Sequence, residues 1–200
     1  MWGVHASPAN REVALDPPIR RWYRPSGPGD EAALIGEARD GSADAVEMLV
    51  RRHWDAAHRT AFLIVRDAGA AEDITQESML AAVAAIDRFD RRRPFRPWLH
   101  RIVVNRSLDF LRARAARPEL VTARTPEAGN ETTQELSGEL MVALGQLEPE
   151  DRTLVVLRHL LGYRSTEIGR MLELPAGTVR TRLRRALGRL RLLLEEAEEA

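Results

Sequence analysis

The segment from Tyr163 to Arg191 constrains the fold more than any other part of the chain. A short helical stretch, Thr166 to Leu172, is followed by Glu173, Leu174 and Pro175 and then by a long one, Ala176 to Glu196. Two helices joined by so short a turn make a helix-turn-helix. At about 100° per residue, Val179, Leu183, Ala186, Leu187, Leu190 and Leu194 share one face of the second helix, which predicts inward packing. Thr181 and Arg185 then point away, flanked by Thr178, Arg182 and Arg184. Hydroxyls and guanidinium forks on one surface can read base edges and clamp phosphates. A solvated bundle face usually mixes charge signs, whereas this one is basic until Glu195.

Charge is segregated elsewhere too. Cations and acids number 30 each, so the net charge is zero. Yet between Arg88 and Arg117 ten arginines face only Asp90 and Asp109, a net +8, and from Arg164 to Arg191 eight face only Glu167 and Glu173, a net +6. Phosphate contact needs local positive charge, not a positive average. With no lysine, every cation is a planar fork suited to bidentate contact. The absence of cysteine excludes disulfides, thiolate metal sites and a cysteine nucleophile. No apolar run approaches the roughly 20 residues of a membrane span, and no signal-peptide core is present, so a soluble, cytoplasmic protein is expected. No residue set calls for a metal or a cofactor, and none is expected.

The pattern is all-α, with two small helical domains joined by a flexible linker. Residues 1–30, rich in proline and glycine without apolar periodicity, read as a disordered arm. Residues 31–116 hold four helices: a short one stopped near Gly41, a second running from about Ser42 to Val65, a third over about Ala70 to Ile86, and a fourth to about Ala115. Pro97 fits the first turn of that fourth helix, where a missing N–H costs nothing. Residues 117–134 are a polar linker, and residues 135–200 carry four more helices, roughly Glu135 to Leu147, Glu150 to Leu161, Thr166 to Leu172 and Ala176 to Glu196. Gly162 suits a C-cap and Ser165 an N-cap.

Two further surfaces stand out. Trp98, Arg101, Asn105, Asp109 and Arg112 form a polar stripe on the fourth helix, preceded by a cationic turn, Arg91 to Arg93, between Phe89 and Phe95. Rings and arginines together suit unpaired DNA, whose bases stack on aromatic faces. The same spacing equally allows Phe95 and Trp98 to be core residues and Asp109 to pair with Arg112. On the third helix Asp73, Gln76, Glu77 and Leu80 fall at i, i+3, i+4 and i+7, placing two carboxylates, an amide and an apolar group on one face. A partner-binding stripe, a solvated face and a general acid/base pair are the alternatives, the last lacking any nucleophile or metal set.

Three segments together resemble the extracytoplasmic-function (ECF) sigma factors, over about Ala32 to Leu194. Ala71-Glu72-Asp73-Ile74-Thr75-Gln76-Glu77 is similar to the family's segment that docks on the clamp helices of the largest RNA polymerase subunit. The run Phe95-Arg96-Pro97-Trp98-Leu99-His100-Arg101-Ile102-Val103-Val104-Asn105 resembles the helix that melts and reads the minus-ten element. Glu167-Ile168 with Pro175-Ala176-Gly177-Thr178-Val179-Arg180-Thr181-Arg182-Leu183-Arg184-Arg185-Ala186 resembles the reader of the minus-thirty-five element.

The resemblance implies a non-catalytic transcription initiation subunit whose partners are core RNA polymerase, through clamp helices and flap, promoter DNA, and an anti-sigma factor. It implies core docking through Asp73, Gln76, Glu77 and Leu80, and minus-ten contacts from Phe89, Arg91, Arg92, Arg93, Phe95, Arg96, Trp98, Arg101 and Asn105. Minus-thirty-five contacts fall to Thr178, Arg180, Thr181, Arg182, Arg184 and Arg185. Two positions depart from the family pattern. Glu173 stands where the turn commonly has glycine, and Gly169 replaces a usual alanine, which should weaken the supporting helix by about 1 kcal/mol. The rival readings are a helix-turn-helix regulator acting alone and a helical hydrolase built on Asp73 and Glu77.

Overall fold

A computed structural model describes residues 28–116 and 138–198. Residues 1–27 of the arm expected over residues 1–30, and the linker expected at 117–134, lie outside the described residues, while residues 28–30 are helical. Helix α1 (Pro28–Arg39) starts three residues ahead of the expected Glu31 boundary, with Asp30 and Glu31 placing negative charge at its N-terminus. Gly41, at φ 91°, turns the chain into α2 (Ala43–Val65), whose first N–H groups are capped by Ser42 accepting from Ala45 N at 3.3 Å. The last turn of α2, Phe62 to Val65, is buried all round, because helices pack against it from several sides.

Arg66 ends α2 in the left-handed region and donates its N–H to Phe62 O, and Asp67 caps α3 (Ala68–Ala84) by accepting from Ala70 N at 3.0 Å. This cap starts α3 two residues earlier than expected. A single tight turn over Ile86–Arg88 replaces the expected last helical turn. Helix α4 (Phe95–Ala116) buries Leu99, His100, Val103, Val104, Ser107 and Leu108 against α2 and α3. Buried hydroxyls in these helices are satisfied by the preceding turn: Thr60 donates to Ala56 O, Thr75 to Ala71 O and Ser107 to Val103 O.

The second half begins with α5 (Gly138–Gly145) and α6 (Pro149–Val155). The expected α-helix to Leu161 instead widens over Val156–Leu160 into a π turn, in which Leu161 N donates to Val156 O at 2.9 Å. Gly162, at φ 75°, ends it as expected of a C-cap. The cap of α7 (Ser165–Leu172) is Arg164, one residue before the expected Ser165, with its backbone N–H accepted by Glu167 Oε2 at 2.6 Å. Helix α8 (Ala176–Glu198) buries Val179, Leu183, Ala186, Leu190 and Leu193, with Leu187 and Leu194 half-buried beside them.

The α7–α8 turn reverses the expectation for Gly169. A Cβ at that position would lie 2.5 Å from Leu174 O, so only glycine fits beneath the turn. Leu174 N donates to Gly169 O at 2.8 Å, closing it. Glu173 itself adopts the left-handed region at φ 57°, ψ 38°. The turn position has no glycine, and the glycine sits one helical turn earlier, under the carbonyl that the turn presses inward.

The halves meet along a seam between α4 and α7. Tyr163 Oη and His100 Nδ1 lie 2.9 Å apart, both buried, and their rings pack edge to face at 5.7 Å. Arg96 sits over the same tyrosine ring. Nearby, Arg101 pairs with Glu173, an exposed contact worth about 0–1 kcal/mol.

Two outcomes follow. Gly169→Ala gains helix propensity but forces the turn apart, so the net effect should be destabilisation by about 1–3 kcal/mol in denaturant unfolding; a gain of about 1 kcal/mol would mean the turn yields freely. Burial, aided by the charges of Arg96 and His53, pushes His100 down to about 3, so it stays neutral in the fold. An unfolded histidine takes up its proton near pH 6.5, so this group's stability contribution is complete above that value and is lost as the pH falls toward 3. The slope should reach at most about 1.4 kcal/mol per pH unit, and His100→Asn should remove it in denaturant titrations between pH 6 and 4.

Candidate nucleic-acid interface

The acidic stripe stands fully open on α3. Asp73, Gln76, Glu77 and Leu80 are all exposed, because the opposite face spends Ala71, Ile74, Thr75, Ser78 and Met79 on the core. Leu80 is 71% exposed beside the two carboxylates, and Val83, one further turn on and also exposed, extends the apolar end of the stripe. Glu77 Oε2 accepts from Arg106 of α4 at 2.6 Å in solvent. Asp73 and Glu77 thus lie on a helix face that the described residues leave open to solvent.

The second surface surrounds the start of α4. Arg91, Arg92 and Arg93 project from an exposed turn that Asp90 shapes, accepting from Arg92 N at 3.0 Å and facing Arg93 Nε at 3.6 Å. Arg101 and Asn105 are exposed on α4, one turn apart, and Arg96 is half-buried against Tyr163. Phe89 and Phe95 depart from the expectation of ring faces open to bases. They are 5% and 4% exposed and stack with each other at 5.4 Å, edge to face. Trp98 packs on both, at 4.9 and 5.3 Å, and is half-buried. Rings of this size contribute most when removed from water, and the three together form the floor on which the arginine turn rests. Asp109 pairs with Arg112 at 3.0 Å, the alternative left open by the spacing.

The third surface is the outer face of α8. Thr178, Arg180, Thr181, Arg184 and Arg185 are exposed, while Arg182 is half-buried. Thr181 donates its hydroxyl to Gly177 O at 3.1 Å, leaving its lone pairs outward. Arg180 and Arg184 have no ion pair among the described residues. Arg182 and Arg185 both reach Asp151, in the first turn of α6, which is 8% exposed.

Sequence reasoning missed the groups that hold these surfaces. Asp151 is 31 residues from Arg182, and Tyr163 is 63 from His100. Glu31 and His53 tie α1 to α2 at 2.9 Å, and that hydrogen bond holds the Glu31 carboxyl below its usual range against the opposing effect of burial. The only signal was a polar residue at a core-facing helix position, visible for His53 and His100 once the apolar faces are drawn.

The second and third surfaces share one cleft, of about 370 Å3, lined by Asn105, Asp109 and Arg112 of α4 and by Glu150, Leu174 and Arg182 of the second half. One residue of each surface, Asn105 and Arg182, thus lines the same cleft, and Glu173 of the α7–α8 turn reaches Arg101 of α4. Among the described residues no helix is long and apolar enough to cross a membrane.

Comparison with known proteins agrees with this architecture. Residues 49–117 match the family model of Sigma-70 region 2, and residues 137–190 that of Sigma-70, region 4. The ECF RNA polymerase sigma factor SigM of Mycobacterium tuberculosis is 36% identical over 82% of this chain and 84% of its own. The ECF RNA polymerase sigma factor SigE of Mycolicibacterium smegmatis is 32% identical over 94% of this chain and 77% of its own. In structure the chain is similar to CnrH, solved in complex with the cytosolic domain of CnrY, with a TM-score of 0.62, 31% identity, and coverage of 83% of this chain and 97% of that one. The sigma factor RpoE of Bartonella quintana, solved with the anti-sigma factor NepR, shares the fold at a TM-score of 0.64 and 21% identity, over 74% of this chain and 96% of that one. With both halves matched in order and a relative above 30% identity across most of its length, the chain belongs to the ECF RNA polymerase sigma factors.

Proposed function

We propose that this sigma factor docks on the clamp helices of core RNA polymerase through Asp73, Gln76, Glu77 and Leu80, and reads its promoter with the other two surfaces. The observation that carries the docking role is the exposed Leu80 among acids on an otherwise well-packed helix. A solvated face has no use for it, and a regulator acting alone would leave the whole stripe without a purpose.

In this reading the Arg91–Arg93 turn follows the backbone of the melted minus-ten strand, with Arg96, Arg101 and Asn105 beside it, while Phe89 and Phe95 support the turn from below. Trp98, half-buried, is the ring with an edge still available. Thr178, Arg180, Thr181, Arg184 and Arg185 face the minus-thirty-five duplex. Elements 25 base pairs apart lie about 85 Å apart along straight B-form DNA. Asn105 and Arg182 line one cleft, so the closed arrangement cannot serve both elements. The halves must separate on the polymerase, and the 21 residues from 117 to 137 span about 70 Å when extended. The flap is the natural second anchor for the region 4 half. An anti-sigma factor is a further partner, in keeping with the NepR complex of the Bartonella protein.

Reconstituted run-off transcription tests the reading. The full chain with core polymerase should give transcripts from promoters carrying both elements, and Asp73→Ala with Glu77→Ala should cut association with core at least tenfold while the helical circular dichroism is unchanged. Tight, sequence-specific promoter binding by the chain alone, with no transcript when polymerase is added, would sink it.

A further inference from the structure

We propose that Asp151 is a positioning residue for promoter recognition, orienting the guanidinium groups of Arg182 and Arg185 and thereby fixing which base pair Arg185 discriminates. The proposal rests on the reading that α8 meets the minus-thirty-five duplex.

The geometry is specific. Asp151 Oδ1 accepts from Arg182 Nε at 3.0 Å and lies 2.8 Å from Arg182 Nη2, so one edge of that guanidinium faces inward. Asp151 Oδ2 accepts from Arg185 Nη2 at 3.0 Å. One carboxylate thus holds two arginines three residues apart on α8, each through its own oxygen. The side-chain exposures differ in the way two distinct roles require: 11% for Asp151, 29% for Arg182 and 72% for Arg185. Arg182 is a brace. Arg185 gives Asp151 a single nitrogen and keeps its remaining donors in solvent.

An acid beside DNA would ordinarily repel phosphate. Here it is enclosed between two cations at the first turn of α6, where the helix dipole also favours a negative charge, and the cluster stays net positive. Its effect is orientation. Bidentate contact with guanine O6 and N7 needs two N–H groups of one edge aimed together. A freely rotating arginine must give up its rotamer freedom on docking, whereas one tethered at Nη2 has already lost much of it. A tether also holds the fork at one depth and one register along the groove, so the contact falls on a single base pair. Arg180 and Arg184 lack such a tether among the described residues and suit phosphate.

Holoenzyme reconstituted from core polymerase and the full chain should be assayed on a panel of single-base minus-thirty-five variants, using wild type, Asp151→Asn, Asp151→Ala, Arg185→Ala and the Asp151→Asn/Arg185→Ala double variant. Wild type should discriminate at one base pair by roughly tenfold or more. Asp151→Asn and Asp151→Ala should reduce that to under threefold at the same base pair only, and the salt dependence of binding should steepen because the released arginine finds phosphate. The double variant should be no worse than Arg185→Ala alone. If Arg185→Ala removes the discrimination and Asp151→Asn does not, the positioning role is overturned while the minus-thirty-five reading stands. If Arg185→Ala leaves discrimination intact, that reading of Arg185 fails and this proposal with it. A uniform loss over all promoters with a lowered melting temperature would make Asp151 a tie between α6 and α8 and nothing more, which also overturns it.

Discussion

Thirty cations and thirty acids cancel in this chain, but the arginines are crowded into two segments, where single acids pair with some of them and leave others, Arg180 and Arg184 among them, in solvent. Four of the acids that do so among the described residues sit on a different element from their arginine. Glu77 takes Arg106, Asp109 takes Arg112, Asp67 takes Arg114, Glu173 takes Arg101, and Asp151 takes Arg182 and Arg185. The pairs of Glu77, Asp109 and Glu173 are exposed, individually weak and screened by salt, so they can be exchanged for phosphate at little cost. Asp151 differs by being buried, and among the described residues it alone pairs with two arginines.

The same economy of contact shapes the helix-turn-helix. A left-handed residue is needed between α7 and α8, and Glu173 occupies it despite its Cβ. The turn closes over Gly169, where no side chain would fit, so the two departures from the family pattern belong to one local solution. Glu173 then uses its side chain for the seam with Arg101. Local backbone geometry and the packing of the two halves are thereby linked through one residue.

The helices of both halves were legible in the sequence because each carries its apolar face at the right period, and α4 and α8 end within two residues of expectation. The caps were less legible. Asp67 starts α3 two residues ahead of expectation, and Arg164 caps α7 through a carboxylate three residues on, because a cap depends on where one N–H points and not on residue type alone. The π turn after Val155 had no signal, since its pattern of apolar residues serves an α-helix equally well. The aromatic residues flanking Arg91–Arg93 could be read as stacking platforms or as core, and the pairing of Phe89 with Phe95 and Trp98 settles the first two as core. Contacts between the halves could not be seen at all. Tyr163 and His100 each look ordinary alone, and only the fold brings them to 2.9 Å.

Serving both promoter elements at once would take the chain from a closed form, in which Asn105 and Arg182 line one cleft, to an open one. The absence of native cysteine makes this directly measurable. Asp109→Cys on α4 and Glu150→Cys on α6, which line the same cleft, can carry a donor and acceptor pair without background labelling. Energy transfer should report a short distance in the free chain and a lengthening by several tens of ångströms in a transcribing complex with core polymerase and promoter. A distance that stays short in a complex shown to be making transcript would contradict the account.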